Sequence, residues 1–538
     1  MPASAFNLDA VRSKYVASDA CAAELLCDGH DPDAVAFSII EADLSSEDIT
    51  YGQLRERSER GAAALADLGV GRGDAVATLM GKSADLVVML LAIWRRGAIH
   101  VPLFTAFAWP AIELRLNVSG AKLVITDANQ LDKLKDTAVP ILVAGDHATA
   151  PHLALTPLLA AQQPGITAEA VGSDGPLVLI FTSGTTGAPK GVPVPLRALA
   201  GFRHYIELGL DVREDDVFWN AADPGWAYGL YYGILGPLAA GRRSLLLHAG
   251  FSPVLSFAVL QHFKVTNFAA APTVYRTMRS HADEGPKNLK LRRASSAGEP
   301  LTPEVISWAE ETFGVPVRDH YGQTELGMII INAWHDDLRQ ELRTGSMGHP
   351  LPGWACAVLQ DGSDEMAAPD EVGRVAVDAA ASPMMWFSGY KDAPKETAER
   401  FSQDGRWYIT GDAGKVDADG YFFFSSRDDD VIIMAGYRIG PFDVESVLST
   451  HPAVLESAVI GVPDELRGEV LEAYVVLNAG VPGDDALVAE LQKVVKTQFA
   501  AHAFPRRIHF VEALPKTPSG KLQRFILRKQ RAADHQGN

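Results

Sequence analysis

The chain has 538 residues, 47% of them hydrophobic and 21% charged, with a formal net charge of −19. That length exceeds what one hydrophobic core supports, so two or more domains are expected, and the acidic balance argues against nucleic-acid binding, which needs a basic surface. Cys21, Cys27 and Cys356 are too few and too scattered for a zinc site or a disulfide framework; they fit a reducing compartment and lead us to expect a cytoplasmic protein.

The N-terminal MPASAFNLDAVRSKYV lacks the continuous apolar core of a signal peptide. From Ile49 to Met80 the sequence predicts a helix through Leu54, Ala62, Leu65 and Leu68, then a glycine-rich turn and a short apolar strand. Further helices are expected over Ala84–Ala98 and Ile112–Ser119, and a buried strand over Leu123–Thr126. The apolar run Leu86–Trp94 is far short of the roughly 20 residues that cross a bilayer and is followed by Arg95 and Arg96, so no integral membrane segment is expected. Alternating strands and helices predict an α/β fold, with a large N-terminal domain of mostly parallel sheets covered on both faces. Ala144–Gly172, rich in Ala and Pro, reads as a surface excursion.

Leu177–Gly191, LVLIFTSGTTGAPKG, opens with an unbroken apolar run that reads as a strand buried on both faces. It ends in Thr182, Ser183, Gly184, Thr185, Thr186 and Gly187, with Lys190 beyond. Glycines allow positive φ and close approach of backbone amides, and hydroxyls wrap anionic oxygens, so the loop is phosphate-sized and phosphate-suited. It is not a Walker A loop: Lys190 lies between Pro189 and Gly191 and no hydroxyl follows it. A flap is expected rather than a helix N-terminus. Taken alone, such a string equally describes a plain surface turn.

Asp216–Leu238 sets glycines among Trp226, Tyr228, Tyr231 and Tyr232, a pattern that suits either a cavity wall or an aromatic core helix. Phe268–Arg276 reads as strand, turn and helix, and Leu291–Pro300 and Val315–Gly327 place polar clusters after apolar runs. In an open parallel sheet ligands gather at the C-terminal strand ends, so these loops should meet the Thr182 loop in one site. After Gly405 the character changes. Trp407–Gly411 leads to Asp412, and Tyr421–Phe424 runs into the polar break from Ser425 to Asp430, which reads as a hinge. Beyond it, helices Asp443–Ser449 and Leu487–Phe499 and strands Ser457–Val462, Ala473–Leu477 and Ile508–Val511 predict a small α+β domain, whose tail PKTPSGKLQR sets Lys521 in a glycine-flanked loop. The expected division is 1–427, hinge 428–430, and 431–538.

FTSGTTGAPKG, SAGEP, HYGQTE, YITGD, RDDDVIIMAGYRIGP and PKTPSGK follow one another along the chain. In these motifs and their order the chain resembles, over nearly its whole length, the adenylate-forming superfamily of acyl-CoA synthetases, peptide-synthetase adenylation domains and firefly luciferase. SAGEPLTPEV, SGYKD, MAGYRIGPFDVE and DELRGEV are most similar to the medium-chain acyl-CoA synthetase family. The resemblance implies ATP, Mg2+ and coenzyme A acting on a small carboxylic acid, in a monomer or homodimer whose small domain is mobile. Carrier-protein loading and luciferase-like oxidation of the adenylate share the ATP motifs and remain the alternatives.

By the same resemblance, Thr182–Gly187 and Lys190 hold phosphates, Gly298, Glu299 and Pro300 meet adenine, and Asp319, His320, Tyr321, Gly322 and Gln323 continue that wall. Thr324 reaches the α-phosphate, Glu325 holds Mg2+, and Asp412 takes the ribose hydroxyls beside Arg427. Lys521 is the catalytic lysine and Arg438 stands near the carboxylate and phosphate. Asp429 is the hinge position, Ala435, Gly436 and Tyr437 line the pantetheine passage, and Arg467, Lys496 and Arg506 meet coenzyme A phosphates. The acyl pocket falls on Trp226, Ala227, Tyr228, Gly229 and Gly322. Acetyl- and propionyl-specific relatives carry tryptophan where Gly322 stands, which implies an open pocket floor and poor use of acetate. No half of such a reaction needs a protein nucleophile, so catalysis must come from positioning and positive charge.

Overall fold

The computed structural model describes residues 8–182, 189–282, 285–286, 288–427, 430–434, 437–464, 467–517 and 521–536. One sheet of the large domain has 7 strands, in spatial order Leu153–Ala154, Ile141–Val143, Leu123–Thr126, Ala75–Leu79, Ile99–Pro102, Pro176–Phe181 and Gly191–Pro195. Its pairings are parallel except the last, where Pro176–Phe181 turns back on Gly191–Pro195. Ala75–Leu79 and Leu123–Thr126 are buried at every residue, as strands covered on both faces must be. The helix Tyr51–Asp67 begins at a capping box, Thr50 accepting the Gln53 N–H and Gln53 returning to the Thr50 N–H. Ala84–Arg95, capped by Ser83, is buried from Leu86 to Arg95.

A 13-stranded sheet carries the rest of the large domain. Its central run, Val35–Ile40, Ser244–Leu247, Phe218–Asn220, Asn267–Ala270, Arg293–Ala297 and Val317–Gln323, is parallel throughout. From Val317–Gln323 the sheet continues antiparallel through Gly327–Ile331, Ser346–Pro350, Phe422–Arg427, Trp407–Val416, Gly373–Asp378 and Cys356–Leu359. This extension is absent from the alternating strand–helix pattern of the sequence, because its strands are joined by hairpins and loops rather than helices. Its consequence is functional: YITGD lies on a strand of the same sheet as HYGQTE.

From Ile432 onward the chain builds a separate 5-stranded sheet from Ile432–Met434, Tyr437–Ile439, Val454–Asp464, Gly468–Leu477 and Arg507–Phe510. Helices Pro441–Ser449 and Asp485–Gln498 pack on it around Ile432, Val444, Leu448, Leu471 and Leu491. A terminal helix, Arg524–Gln536, was not expected from the sequence. It is fastened by ion pairs: Arg531 donates to Glu472 at 2.7 Å, Arg524 to Glu445 at 2.7 Å, and Arg528 to Asp430 at 2.6 Å. Among the described residues no helix is long and apolar enough to cross a membrane.

Candidate functional site

The expected phosphate loop is the connection of a β-hairpin. Thr182 N–H donates to the Lys190 carbonyl at 3.0 Å and Lys190 N–H to Thr182 Oγ1 at 3.4 Å, closing its neck. Ser183, Gly184, Thr185, Thr186 and Gly187 lie outside the described residues. The Lys190 ammonium sits 5.2 Å over the ring of Tyr390.

Thr324 and Glu325 occupy the tight turn between Val317–Gln323 and Gly327–Ile331. Aromatic residues hold that turn from below. Tyr231 Oη donates to the Thr324 carbonyl at 3.0 Å, Trp386 Nε1 to the Leu326 carbonyl at 3.2 Å, and Met328 N–H donates to Tyr232 Oη at 2.7 Å. Gly327 has φ +73°, and a Cβ there would lie 2.6 Å from Tyr232 Oη, so no other residue fits. The two readings of the aromatic stretch therefore divide. Tyr231 and Tyr232 are core, whereas Trp226 and Ala227 are only half-buried.

Asp412 gathers residues of three motifs. Its register partner across the antiparallel pair is Arg427, with Nε 3.9 Å from Oδ1. Its Oδ2 accepts Tyr321 Oη at 2.5 Å and Gln323 Nε2 at 2.7 Å. Gln323 is further tied to the Thr410 carbonyl at 2.9 Å and accepts Tyr408 Oη at 3.2 Å, so its amide braces the site.

Glu299 follows Gly298, whose φ of +100° turns the chain out of the Arg293–Ala297 strand. Its carboxylate accepts Thr273 Oγ1 at 3.0 Å and Arg276 NH2 at 2.6 Å. That side chain is thus engaged within the protein. Lys521 arrives from the other end of the chain. Its loop is pinned by Thr517 N–H to the Lys521 carbonyl at 2.7 Å, Lys521 N–H to Thr517 Oγ1 at 3.0 Å, and a bridge between Lys516 and Leu522. Desolvation pulls the ammonium's pKa below its ordinary value, Glu299, Asp412 and Glu325 favour its charge, and Arg427 opposes it. Carboxylates of three separate motifs thus act electrostatically on this one ammonium.

Some expectations are corrected. The His320 ring cannot serve the expected nucleotide contact, which is left to its backbone: the residue is 2% exposed, Nε2–H donates to the Asn332 carbonyl at 3.1 Å and Nδ1 accepts Tyr205 Oη at 2.6 Å. Burial lowers its pKa to about 3, so it stays neutral. Gly322 does not mark vacated volume. A Cβ there would lie 2.1 Å from the Gly327 carbonyl, at the bulge where the hairpin register shifts. Gly229 is likewise required by packing, since a Cβ would lie 2.1 Å from the Asp223 carbonyl. Tyr228 Oη is turned inward, 3.3 Å from Tyr205 Oη. Asp319 is a desolvated carboxyl, raised to about 8 by burial against the lowering pull of the Leu301 and His320 N–H groups.

Lys496 and Arg506 sit over the same Phe504 ring, at 3.8 and 3.9 Å. Desolvation and the nearby Arg467 charge lower the Arg506 pKa, so all three basic positions converge. Asp429, Ala435 and Gly436 lie outside the described residues. Tyr437 and Arg438 are described through their backbone, which pairs with Met434 and Ile433. Thr273, Arg276, Tyr390 and Arg400 escaped the sequence reading; Tyr390 falls within SGYKD, which marked only resemblance.

Among the described residues no group of three or more His, Cys, Asp or Glu side chains is placed to hold a metal ion. Glu325 is buried, and its Oε1 accepts a hydrogen bond from Tyr390 at 2.6 Å. A single carboxylate with one engaged oxygen fits Mg2+, which keeps its waters and is shared with substrate phosphates.

Comparison with known proteins shows the family. Residues 28–390 match the family model described as AMP-binding enzyme, and residues 443–521 that described as AMP-binding enzyme C-terminal domain. The acetyl-coenzyme A synthetase of Bacillus subtilis (strain 168) is 35% identical over 495 residues, covering 90% of this chain and 85% of the relative. The mouse mitochondrial acyl-coenzyme A synthetase ACSM3 is 34% identical over 471 residues, covering 85% and 80%. A crystal structure of Brucella canis acyl-CoA synthetase superposes with a TM-score of 0.77 at 41% identity, covering 99% of this chain and 98% of that one.

Proposed function

From the premise that this chain belongs to the family of AMP-binding enzymes and is an acyl-CoA synthetase using ATP, Mg2+ and coenzyme A, we propose that its acid is medium-chain, or compact and branched or aromatic, rather than acetate. The acid's carboxylate attacks the α-phosphate of ATP and expels pyrophosphate. The thiol of coenzyme A then attacks the acyl carbonyl, its proton passes to solvent, and AMP leaves. The protein contributes no covalent bond; it aligns the partners and supplies charge.

The observation that carries the adenylation half is that Glu299, Asp412 and Glu325 all favour the charge of the Lys521 ammonium. There its ammonium neutralises charge that builds on the phosphorane, with Thr324 and Arg438 as partners. Asp412, with Arg427 opposite it, takes the ribose hydroxyls, and the Gly298–Pro300 backbone takes the adenine. Thr182 and Lys190, with Ser183 to Gly187 between them, enclose the phosphates. Bound Mg2+ supplies neutralisation of the departing pyrophosphate, and Glu325 would hold it. Residues 428–430, with Asp429, then act as the hinge on which 431–538 turns relative to 1–427, because the Lys521 loop must leave before a thiol enters. Ala435, Gly436 and Tyr437 line the thiol's route. Lys496, Arg506 and Arg467, grouped about Phe504, meet the phosphates of coenzyme A. The free thiols Cys21, Cys27 and Cys356 suit a cytoplasmic setting.

Two features support the acid's size. Ala227 is small and half-buried beside Trp226, and Trp226 is itself only half-buried, so that wall is not sealed by its own packing. Each buried CH2 contributes about 0.8 kcal/mol, roughly fourfold in affinity per carbon until the pocket is full. The test is kcat/KM across straight-chain acids from acetate to dodecanoate, on the wild type and on Ala227→Phe. The reading requires a rise beyond acetate and a shift to shorter acids in the variant; acetate as best substrate, or an unchanged profile, contradicts it.

A further inference from the structure

Glu325 is held by a residue outside the motifs. The Tyr390 hydroxyl reaches its Oε1 at 2.6 Å, in surroundings where both side chains are buried. Arg400 Nε lies 3.0 Å from the same hydroxyl, and Arg400 NH1 donates to the Thr410 carbonyl at 2.9 Å. A guanidinium only donates, so Arg400 gives its proton to the Tyr390 oxygen and the phenol proton must point at Glu325. Gly411 makes this approach possible: its φ is +73°, and a Cβ there would lie 2.6 Å from Arg400 NH1.

Tyr390 is itself immobilised. Its N–H donates to Thr397 Oγ1 at 2.9 Å, its ring meets Phe387 edge-on at 5.1 Å, and the next residue, Lys391, donates its N–H to the Gly191 carbonyl at 2.8 Å. With Lys190 over its ring, one tyrosine joins the acid that follows Thr324, the strand that carries Asp412, and the lysine that closes the phosphate loop.

We propose that Tyr390 is a positioning residue for Mg2+: by holding Oε1 of Glu325 it fixes the carboxylate's rotation and leaves Oε2 the freer oxygen for the metal. This inference rests on the reading of Glu325 as the metal-holding carboxylate. Among the described residues Oε2 takes part in no hydrogen bond, which matches that division of labour. Mg2+ demands near-octahedral geometry and is disturbed by a carboxylate free to rotate, and groups that orient metal ligands typically contribute about 10–100-fold in metal affinity or activity.

Tyr390→Phe keeps the ring that packs on Phe387 and faces Lys190, and removes only the hydroxyl. The Mg2+ concentration for half-maximal adenylation should rise about tenfold, with kcat recovering to within about twofold at saturating Mg2+. Mn2+ titrated into the enzyme with a non-hydrolysable ATP analogue, followed by electron paramagnetic resonance, should show the same weakening. Arg400→Met, which frees the hydroxyl to turn away, should shift both readouts in the same direction by less. A Tyr390→Phe loss equal at all Mg2+ concentrations, with Mn2+ binding unchanged, overturns the proposal. Glu325→Gln separates the two levels: if that variant binds Mn2+ like the wild type, the reading of Glu325 itself falls.

Discussion

Tyr321 donates its hydroxyl to Asp412 at 2.5 Å, although the two stand on different strands and 91 residues apart. Their strands belong to one sheet but are separated in it by Gly327–Ile331, Ser346–Pro350 and Phe422–Arg427, so the contact joins residues that strand pairing alone does not make neighbours. Replacing Asp412 by Asn removes a charged acceptor, and a hydrogen bond to such a group contributes about 1.5–3 kcal/mol. We expect KM for ATP to rise about 10–100-fold with KM for coenzyme A little changed, measured with the acid saturating. Equal changes in both would mean that Asp412 only supports the sheet.

The Asp319 carboxyl gives the folded protein a pH signature. Burial raises it to about 8 from the ordinary 3.8 of an aspartate. Between those values the folded state holds a proton that the unfolded state has released. Its contribution to stability is therefore fully present below about pH 4 and is lost as pH climbs through about 8. Asp319→Asn should flatten this decline, raising Tm more at pH 8 than at pH 5. Parallel wild-type and variant curves from calorimetry would contradict the assignment.

Glu472 works with the opposite sign. Burial disfavours its charge, but hydrogen bonds from His509 and Arg531 more than offset this and bring the carboxyl from 4.5 to about 2. Its stabilisation, about 3 kcal/mol, is present above pH 4.5 and fades as pH falls toward 2. Glu472→Gln should lower the denaturant midpoint at pH 7 and lower it much less at pH 2.5; a loss of the same size at both pH values would show that shape and not charge matters.

Gly322→Ala tests the corrected role of that glycine. With its Cβ 2.1 Å from the Gly327 carbonyl, the hairpin must shift, at a cost of about 3 kcal/mol, and the Thr324–Glu325 turn shifts with it. We expect a lower denaturant midpoint together with slower adenylation. An unchanged midpoint would return Gly322 to the role of pocket floor.

How far the sequence could be read follows from how local each signal is. The Leu177–Phe181 strand, the Ala84 helix and the Leu123–Thr126 strand depend on local apolar runs, and each was legible to within a few residues. The site motifs were legible as strings but not as geometry. Nothing local says that His320 points into the core while Tyr321 beside it reaches Asp412, since that alternation depends on which sheet face is covered. Gly322 and Gly229 misled for a similar reason: a glycine looks the same whether it leaves a cavity or admits another backbone. Tyr390 and Arg400 gave no periodic signal, and their partners, Glu325 and Thr410, were 65 and 10 residues away. The terminal helix Arg524–Gln536 was missed because charges hold it, through Glu472, Glu445 and Asp430, more than an apolar stripe.

The central claim is that Lys521 serves adenylation and is carried away before the thiol step. Lys521→Ala should be assayed in both half-reactions: pyrophosphate release from acid and ATP, and thioester formation from supplied acyl-adenylate and coenzyme A. The account predicts that the first falls by at least about 100-fold, the scale of losing one charge aimed at a developing oxyanion, while the second stays within about threefold of wild type. Equal loss in both half-reactions would contradict it.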